Sequence, residues 1–131
     1  MGSLFSHQNN GGENLKVGYK IWLENNGKAF GGGPCELLKR VQETGSLNQA
    51  AARMGMSYSK AWRIIRNAEK KLGFLLLKRT IGGRAGGGSK ITPEAQEFLI
   101  VRYELFEKEV RAAIERIYES HFGDRWSGGG H

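Results

Sequence analysis

Polar and apolar residues alternate from Leu15 to Leu23, which is the pattern of a strand with one buried face. Asn26 and Gly27 follow, and both tolerate the positive φ that a two-residue type I′ turn requires. Residues 28–30 then predict the returning strand. We therefore expect the fold to open with a short β-hairpin.

The apolar positions change to a helical spacing after three consecutive glycines. This spacing predicts three amphipathic helices, over residues 34–44, 47–54 and 58–72, and each is followed by a glycine that can end it. Ser46 and Gln49 form a capping box at the start of the second helix, because the serine oxygen can accept from the third helical amide while the glutamine reaches back to the serine amide.

The second and third helices meet the steric demands of a helix-turn-helix, with small Ala51 and Gly55 where the two must cross closely. At 100° per residue, the apolar residues of the third helix fall within an arc of about 100°. They are Ala61, Ile64, Ile65, Ala68 and Leu72. The opposite, basic face is then free to enter the major groove of DNA.

The basic face supplies the candidate DNA-binding residues. Base edges are expected to be contacted by Ser59, Lys60 and Arg63, and the backbone or groove wall by Tyr58, Arg66, Asn67 and Lys70. Ser57, which is expected to cap the helix, completes the candidate set. Trp62 lies at the margin of this face. Packing on the first helix is the favoured interpretation, and a wedge against a DNA sugar is the alternative.

Two extended segments, residues 74–80 and 90–92, enclose a glycine-rich tip. This is the outline of a wing, a β-hairpin beside the recognition helix that offers residues to the minor groove or to phosphates. The candidates are Lys78, Arg84, Gly86 and Lys90. A nucleotide-binding P-loop is excluded, because Ser89 precedes the lysine here, whereas that motif requires lysine before serine or threonine.

The sequence Thr92-Pro93-Glu94 predicts the start of a helix of about 26 residues, or about 39 Å. Apolar residues recur along it at alternating spacings of four and three, as in helices that pair. They are Leu99, Tyr103, Phe106, Val110, Ala113 and Ile117. This apolar stripe is longer than the core of one small domain can cover. We therefore expect it to form a homodimer contact rather than to pack wholly within one chain.

Composition narrows the class of protein. The 131 residues are enough for one ordinary domain, and they contain no apolar run near the length that spans a bilayer. Residues 53–90 hold ten basic side chains against one acidic, which favours a polyanionic partner. A single cysteine excludes an internal disulfide and, with three scattered histidines, a zinc cage. We expect no metal, no cofactor, no membrane association, a cytoplasmic location and no enzymatic activity, because no catalytic constellation is visible.

Three segments together resemble the N-terminal DNA-binding domain of the ModE family, the molybdate-responsive, LysR-like transcriptional regulators. They are residues 45–52 (GSLNQAAA), 55–62 (GMSYSKAW) and 82–89 (GGRAGGGS). The resemblance implies a winged-helix dimer that binds an operator, usually as a repressor, and places the dimer contact on helices flanking the winged unit. Molybdate-sensing members carry C-terminal oxyanion-binding modules. Because the sequence ends shortly after Trp126, we expect no such module and do not extend molybdate sensing to this chain, so the effector stays open.

These patterns predict a mainly α (α+β) fold, a winged helix-turn-helix with an N-terminal β-hairpin and a long C-terminal dimerisation helix. The expected divisions are a disordered segment (1–14), the DNA-binding domain (15–92), the dimerisation helix (93–120) and a flexible tail (121–131). The predicted function is sequence-specific binding of double-stranded DNA at an inverted-repeat operator by a bacterial transcriptional regulator. The alternatives are a sequence-tolerant architectural DNA-binding protein and a small oxyanion-binding protein that uses the glycine-rich wing.

Overall fold

The computed structural model describes residues 14–80 and 88–123. A first pair of strands, β1 (Trp22–Glu24) and β2 (Lys28–Gly31), is followed by three helices, α1 (Gly32–Thr44), α2 (Leu47–Arg53) and α3 (Tyr58–Leu72). A second pair, β3 (Leu77–Thr80) and β4 (Gly88–Ile91), leads to a π-helical segment (Ala95–Val101) that continues as α4 (Arg102–Phe122). This is the predicted winged-helix order of elements.

The chain divides into two compact units. One is the stretch Ile21–Leu105, which contains both strand pairs, α1 to α3 and the π-helical segment. The other joins the residues before Ile21 to those from Phe106 onward. The predicted disordered segment and flexible tail lie outside the described residues, except for residue 14 and residues 121–123.

The N-terminal hairpin is shorter than the alternating pattern predicted. The strand expected from Leu15 begins only at Trp22, because its four-residue partner β2 offers no further pairing. Residues 15–20 instead contact the C-terminal helix within their own unit, where Tyr118 donates a hydrogen bond to the Leu15 carbonyl (2.9 Å) and Tyr19 donates to Glu115 Oε2 (3.1 Å). Their alternation therefore reflects helix contacts rather than a sheet.

The hairpin turn also differs from the two-residue type I′ prediction. Glu24 pairs with Lys28, so three residues lie between the strands, and the register shifts at Glu24. Asn26 (φ 56°) and Gly27 (φ 110°) do adopt the positive φ that their sequence predicted. The side chain of the extra residue, Asn25, forms a hydrogen bond to the C-terminal end of α3.

The helix ends follow the sequence signals, with two corrections. The first helix begins at Gly32, two residues before the proline expected to open it. Gly45 ends it in a left-handed conformation (φ 77°). The capping box of α2 is half formed: Ser46 Oγ accepts from the Gln49 amide (3.0 Å), but the Ser46 amide donates to Thr44 Oγ1 (3.2 Å) rather than to the glutamine.

A single hydrophobic core lies within the unit Ile21–Leu105. Side chains from β2, all three helices, the entry to β3 and the π-helical segment meet there. Its largest fully buried members are Phe30, Leu37, Leu38, Val41, Leu47, Ile65 and Leu76. Tyr103 closes the core: its ring centroid lies 5.0 Å from that of Phe30 in an edge-to-face arrangement, and its hydroxyl donates to the Ile21 carbonyl (3.0 Å). Burial of these apolar side chains fixes the orientation of α3.

The second hairpin packs against the turn between α1 and α2. The Ser89 amide donates to the Gly45 carbonyl (3.0 Å), and a Cβ on Gly88 would lie 2.4 Å from that carbonyl oxygen. Only glycine therefore fits at position 88 in this arrangement. Thr92 secures the other end, since its hydroxyl donates to the Leu75 carbonyl (2.7 Å) and accepts from the Ala95 amide (3.1 Å). That second bond is the helix cap predicted for Thr92.

The long C-terminal helix departs from the predicted seam in its first two turns. Residues 95–101 are π-helical, so their side chains do not follow the 3.6-residue period from which the seam was derived. Leu99 (2% exposed) and Tyr103 (3%) point into the core of their own unit. Their assignment to a dimer contact is wrong, because neither has surface to offer a second chain. Phe106 and Ile117 are exposed, and Val110 and Ala113 are partly exposed.

Candidate functional site

The two faces of α3 differ as the sequence predicted. Ala61, Ile65 and Ala68 are at most 1% exposed and pack in the core, with Ile64 and Leu72 partly buried beside them. The polar candidates all lie on the exposed side. They are Ser59, Lys60, Arg63, Arg66, Asn67 and Lys70. Burial of one face therefore holds six hydrogen-bonding side chains at the surface, five of which can donate through nitrogen.

The turn before α3 sets where that face begins. Gly55 adopts φ 68°, and the Met56 amide donates to the Ala51 carbonyl (3.0 Å), which folds the chain back on α2. Ser57 Oγ accepts from the Lys60 amide (3.1 Å) and caps the helix. The structure thus gives Ser57 a capping role at the N-terminus of the candidate site, where the helix dipole also favours an anion.

Trp62 is partly buried against the core and also touches the surface cluster of cations. Its Nε1 donates to the Tyr58 hydroxyl (2.5 Å). The Arg66 guanidinium carbon lies 5.0 Å from the centroid of the indole and that of Arg79, in β3, lies 5.7 Å from it. Packing, the favoured interpretation from sequence, therefore describes only part of the role of this side chain.

Glu69, which was not among the predicted site residues, positions α3 against the wing. Its side chain is buried, and Oε2 accepts from the amides of Leu76 (2.8 Å) and Leu77 (3.2 Å) at the entry to β3. A carboxylate that accepts two backbone hydrogen bonds ties α3 to the wing strand. The available signal was that Glu69 is the one acid in the basic stretch 53–90.

The N-terminal hairpin fixes the other end of α3. Asn25 Nδ2 donates to the Lys71 carbonyl (2.8 Å), and the Lys71 ammonium contacts the Asn26 carbonyl. One of the four carbonyls that every helix C-terminus leaves without an intrahelical partner is thereby satisfied. Contacts at both ends of α3 therefore determine the direction of its exposed face.

The wing strands pair in antiparallel register and place two lysines side by side. Lys78 and Lys90 are directly opposite each other, and both are exposed. Like charges in this position repel each other unless an anion lies between or above them. Arg84 and Gly86, the other two wing candidates, lie outside the described residues.

The basic side chains of the candidate site have no acidic partners in the described part of the chain. Residues 14–80 and 88–123 form four ion pairs, none of which includes a residue of α3, β3 or β4: Lys39–Glu104, Arg40–Glu36, Arg53–Glu43 and Arg111–Glu107. An open groove along α3 is lined by three cations (Arg63, Arg66 and Lys70) and one acid (Glu69), with Asn67, Gly73, Phe74 and Leu75, so its net charge is positive. Such a groove attracts polyanions and steers them to the site.

No helix among those described has both the length and the apolar character needed to cross a membrane. Over residues 14–80 and 88–123, no three His, Cys, Asp or Glu side chains come together as a metal site requires.

A protein-family comparison matches the part of the chain that carries this site. The family described as "Bacterial regulatory helix-turn-helix protein, lysR family" matches residues 35–96. That range begins in α1 and ends in the π-helical segment, so it includes the turn, the exposed face of α3 and both wing strands.

Several characterised proteins are similar to this chain. The "Molybdenum transport protein ModE" of Herbaspirillum seropedicae is 41% identical over 69 residues, which are 53% of this chain and 26% of that protein. The "DNA-binding transcriptional dual regulator ModE" of Escherichia coli (strain K12) is 38% identical over 69 residues, again 53% and 26%. The "Molybdenum-pterin-binding protein MopB" of Rhodobacter capsulatus is 32% identical over 110 residues, 84% and 40%. The chain thus spans about a quarter to two fifths of these relatives.

Proposed function

We propose that this chain is a transcriptional regulator that binds double-stranded DNA. The premise is that residues 35–96 form a LysR-type helix-turn-helix domain similar to that of ModE regulators. α3 would enter the major groove, and the wing would lie along the adjacent backbone. The relatives named for molybdenum match this chain over less than half their length, so only DNA recognition is extended to it.

The observation that carries this proposal is the uncompensated basic face of α3. The donors lie on a helix whose opposite side packs against the core, and none of the four ion pairs among the described residues includes them. Ser59, Lys60 and Arg63 in the N-terminal half would reach base edges. Tyr58, Arg66, Asn67 and Lys70 would contact phosphates or the groove wall, and the wing lysines would contact the adjacent backbone.

A homodimer is part of the proposal. Apolar side chains recur along one side of the C-terminal helix, where Phe106 (45%) and Ile117 (54%) are exposed and Val110 and Ala113 are partly exposed. Apolar side chains of this size are commonly covered by a second copy when they recur along a helix. A two-fold dimer would place two recognition helices about 34 Å apart, which matches an inverted repeat, and occupation of such an operator would repress transcription in the cytoplasm.

Selection from a pool of random duplexes tests the proposal with the full chain. We expect an inverted repeat to be enriched, with half-site centres about ten base pairs apart. Tight binding without enrichment would favour an architectural DNA-binding protein. Absence of saturable binding at about 50 mM salt, where phosphate contacts are strongest, would contradict DNA binding altogether.

A further inference from the structure

One side of α3 carries a row of three side chains, of which the middle one contacts the wing. Tyr58, Trp62 and Arg66 are spaced by four residues and therefore lie along one side of the helix. The ring edges of Tyr58 and Trp62 meet with centroids 6.3 Å apart, and the Trp62 Nε1 hydrogen bond to the Tyr58 hydroxyl fixes the orientation of the indole. The indole is thus held from below by the core and from one end by Tyr58.

Arg79 reaches the same indole from the wing. It alternates with Lys78 along β3, so the two side chains leave the hairpin on opposite faces. The guanidinium carbon of Arg79 lies 5.7 Å from the centroid of Trp62, which shows that the Arg79 face is the one turned toward α3. Arg79 is exposed and was absent from the residues that the sequence predicted to bind DNA.

Two guanidinium groups therefore share one aromatic ring. Arg66 and Arg79 both approach Trp62 closely enough for cation–π contact, although their like charges repel each other. In the described residues no carboxylate lies within ion-pair distance of either arginine. The arrangement holds two planar, bidentate donors together, and none of the described carboxylates receives them.

We propose that Arg66 and Arg79 clamp a backbone phosphate of the DNA duplex and that Trp62 is the positioning residue that aims both guanidinium groups. This inference rests on the proposed DNA binding and adds Arg79 and Trp62 to it. A phosphate fits better than a base edge, because Arg79 lies on the wing strand rather than on the helix that enters the groove. Guanidinium groups bind phosphate oxygens in a bidentate manner.

The first experiment removes Arg79 and measures binding to the selected operator over a series of salt concentrations. Arg79→Ala is expected to weaken binding about fivefold to tenfold and to lower the slope of log affinity against log salt by about 1, the loss of one phosphate contact. Lys28→Ala is the matched control, because Lys28 also stacks its charge on an indole, 5.4 Å from Trp22, but on the N-terminal hairpin. It should change neither quantity.

The second experiment separates positioning from packing at Trp62. Trp62→Leu keeps an apolar side chain against the core but removes the ring, whereas Trp62→Phe keeps a ring and loses the hydrogen bond to Tyr58. We expect Trp62→Leu to weaken binding about as much as Arg79→Ala and the double variant to be little weaker than either. Trp62→Phe should restore most of the affinity. Unfolding curves measured in parallel establish that each variant is folded.

The outcomes distinguish this inference from the proposed function. If the unaltered protein fails to bind any duplex, the proposed function is wrong and the clamp falls with it. If it binds and Arg79→Ala behaves as Lys28→Ala does, DNA binding stands and the clamp is wrong. Additive effects of Trp62→Leu and Arg79→Ala, in variants that remain folded, would show that the indole does not aim that guanidinium.

Discussion

Two helices of this chain expose different chemistry. α3 leaves its arginine and lysine side chains without carboxylate partners in the described residues, whereas α4 pairs Arg111 with Glu107 at 3.1 Å. On the C-terminal helix the exposed side chains that recur along one side are apolar, with Phe106 45% and Ile117 54% exposed. The same chain therefore presents one surface suited to a polyanion and another suited to an apolar partner. The difference favours DNA at α3 and a second copy at α4.

The strongest test of this contrast places a charge on the apolar side. Ile117→Asp is expected to dissociate the proposed dimer, because the change occurs twice and each buried isoleucine contributes about 1.5–3 kcal/mol. The dimer should weaken by about 3 kcal/mol or more, which sedimentation velocity over a range of concentrations would measure. Ala112→Asp is the control, since Ala112 is exposed on the same helix but lies off the predicted seam. Equal behaviour of the two variants would place the dimer contact elsewhere.

The next test removes Glu69, the only acidic residue of α3, whose carboxylate binds the entry to β3. Glu69→Ala leaves the amides of Leu76 and Leu77 without their buried acceptor, so the free energy of unfolding is expected to fall by about 2–3 kcal/mol. Urea denaturation would measure the loss. Glu43→Ala removes an exposed carboxylate that pairs with Arg53 at 3.5 Å and should cost at most about 0.5 kcal/mol. Similar losses would mean that Glu69 does not tie the helix to the wing.

A third test compares an unpaired arginine with a paired one. Arg63→Ala is expected to weaken binding to the preferred operator by about 1–3 kcal/mol while barely changing affinity for unrelated DNA. Arg111→Ala, which breaks the pair with Glu107, should leave both affinities unchanged provided that sedimentation shows the same oligomer. Titration of each protein against both duplexes gives the comparison. An equal loss on both duplexes would indicate that Arg63 contacts only phosphate.

The contrast between the two helices also explains what the sequence could predict. α3 is a regular α-helix, so a 3.6-residue period correctly separated its buried residues, such as Ala61 and Ile65, from its exposed ones. The C-terminal helix begins with a π-helical segment, which the pattern of apolar residues did not predict. The same period therefore assigned Leu99 and Tyr103 to a dimer contact although they belong to the core.

Contacts between separate helices and strands could not be predicted from the sequence. Arg79 lies 17 residues from Trp62, and only the packing of the wing against α3 brings their side chains together. The role of Glu69 depends in the same way on the position of the Leu76 and Leu77 amides. Features that depend only on neighbouring residues were predicted correctly, as with the helix caps formed by Ser57 and Thr92.

The smallest expected effect concerns the paired charges. Lys39 lies 2.6 Å from Glu104, and the hydrogen bond to that carboxylate, followed by its charge, raises the pKa of Lys39 above the ordinary 10.5. A raised pKa stabilises the fold fully below 10.5, and this stabilisation is lost as pH rises through the folded value. Because both side chains are more than a third exposed, Glu104→Gln should lower stability by only a few tenths of a kcal/mol near neutral pH and return the Lys39 pKa toward 10.5. Titration of the Lys39 ammonium by NMR would measure this shift. Operator affinity should be unchanged in Glu104→Gln, because paired surface charges are expected to play no part in DNA binding. A loss of affinity would contradict this, since it would connect a paired surface charge to the basic face of α3.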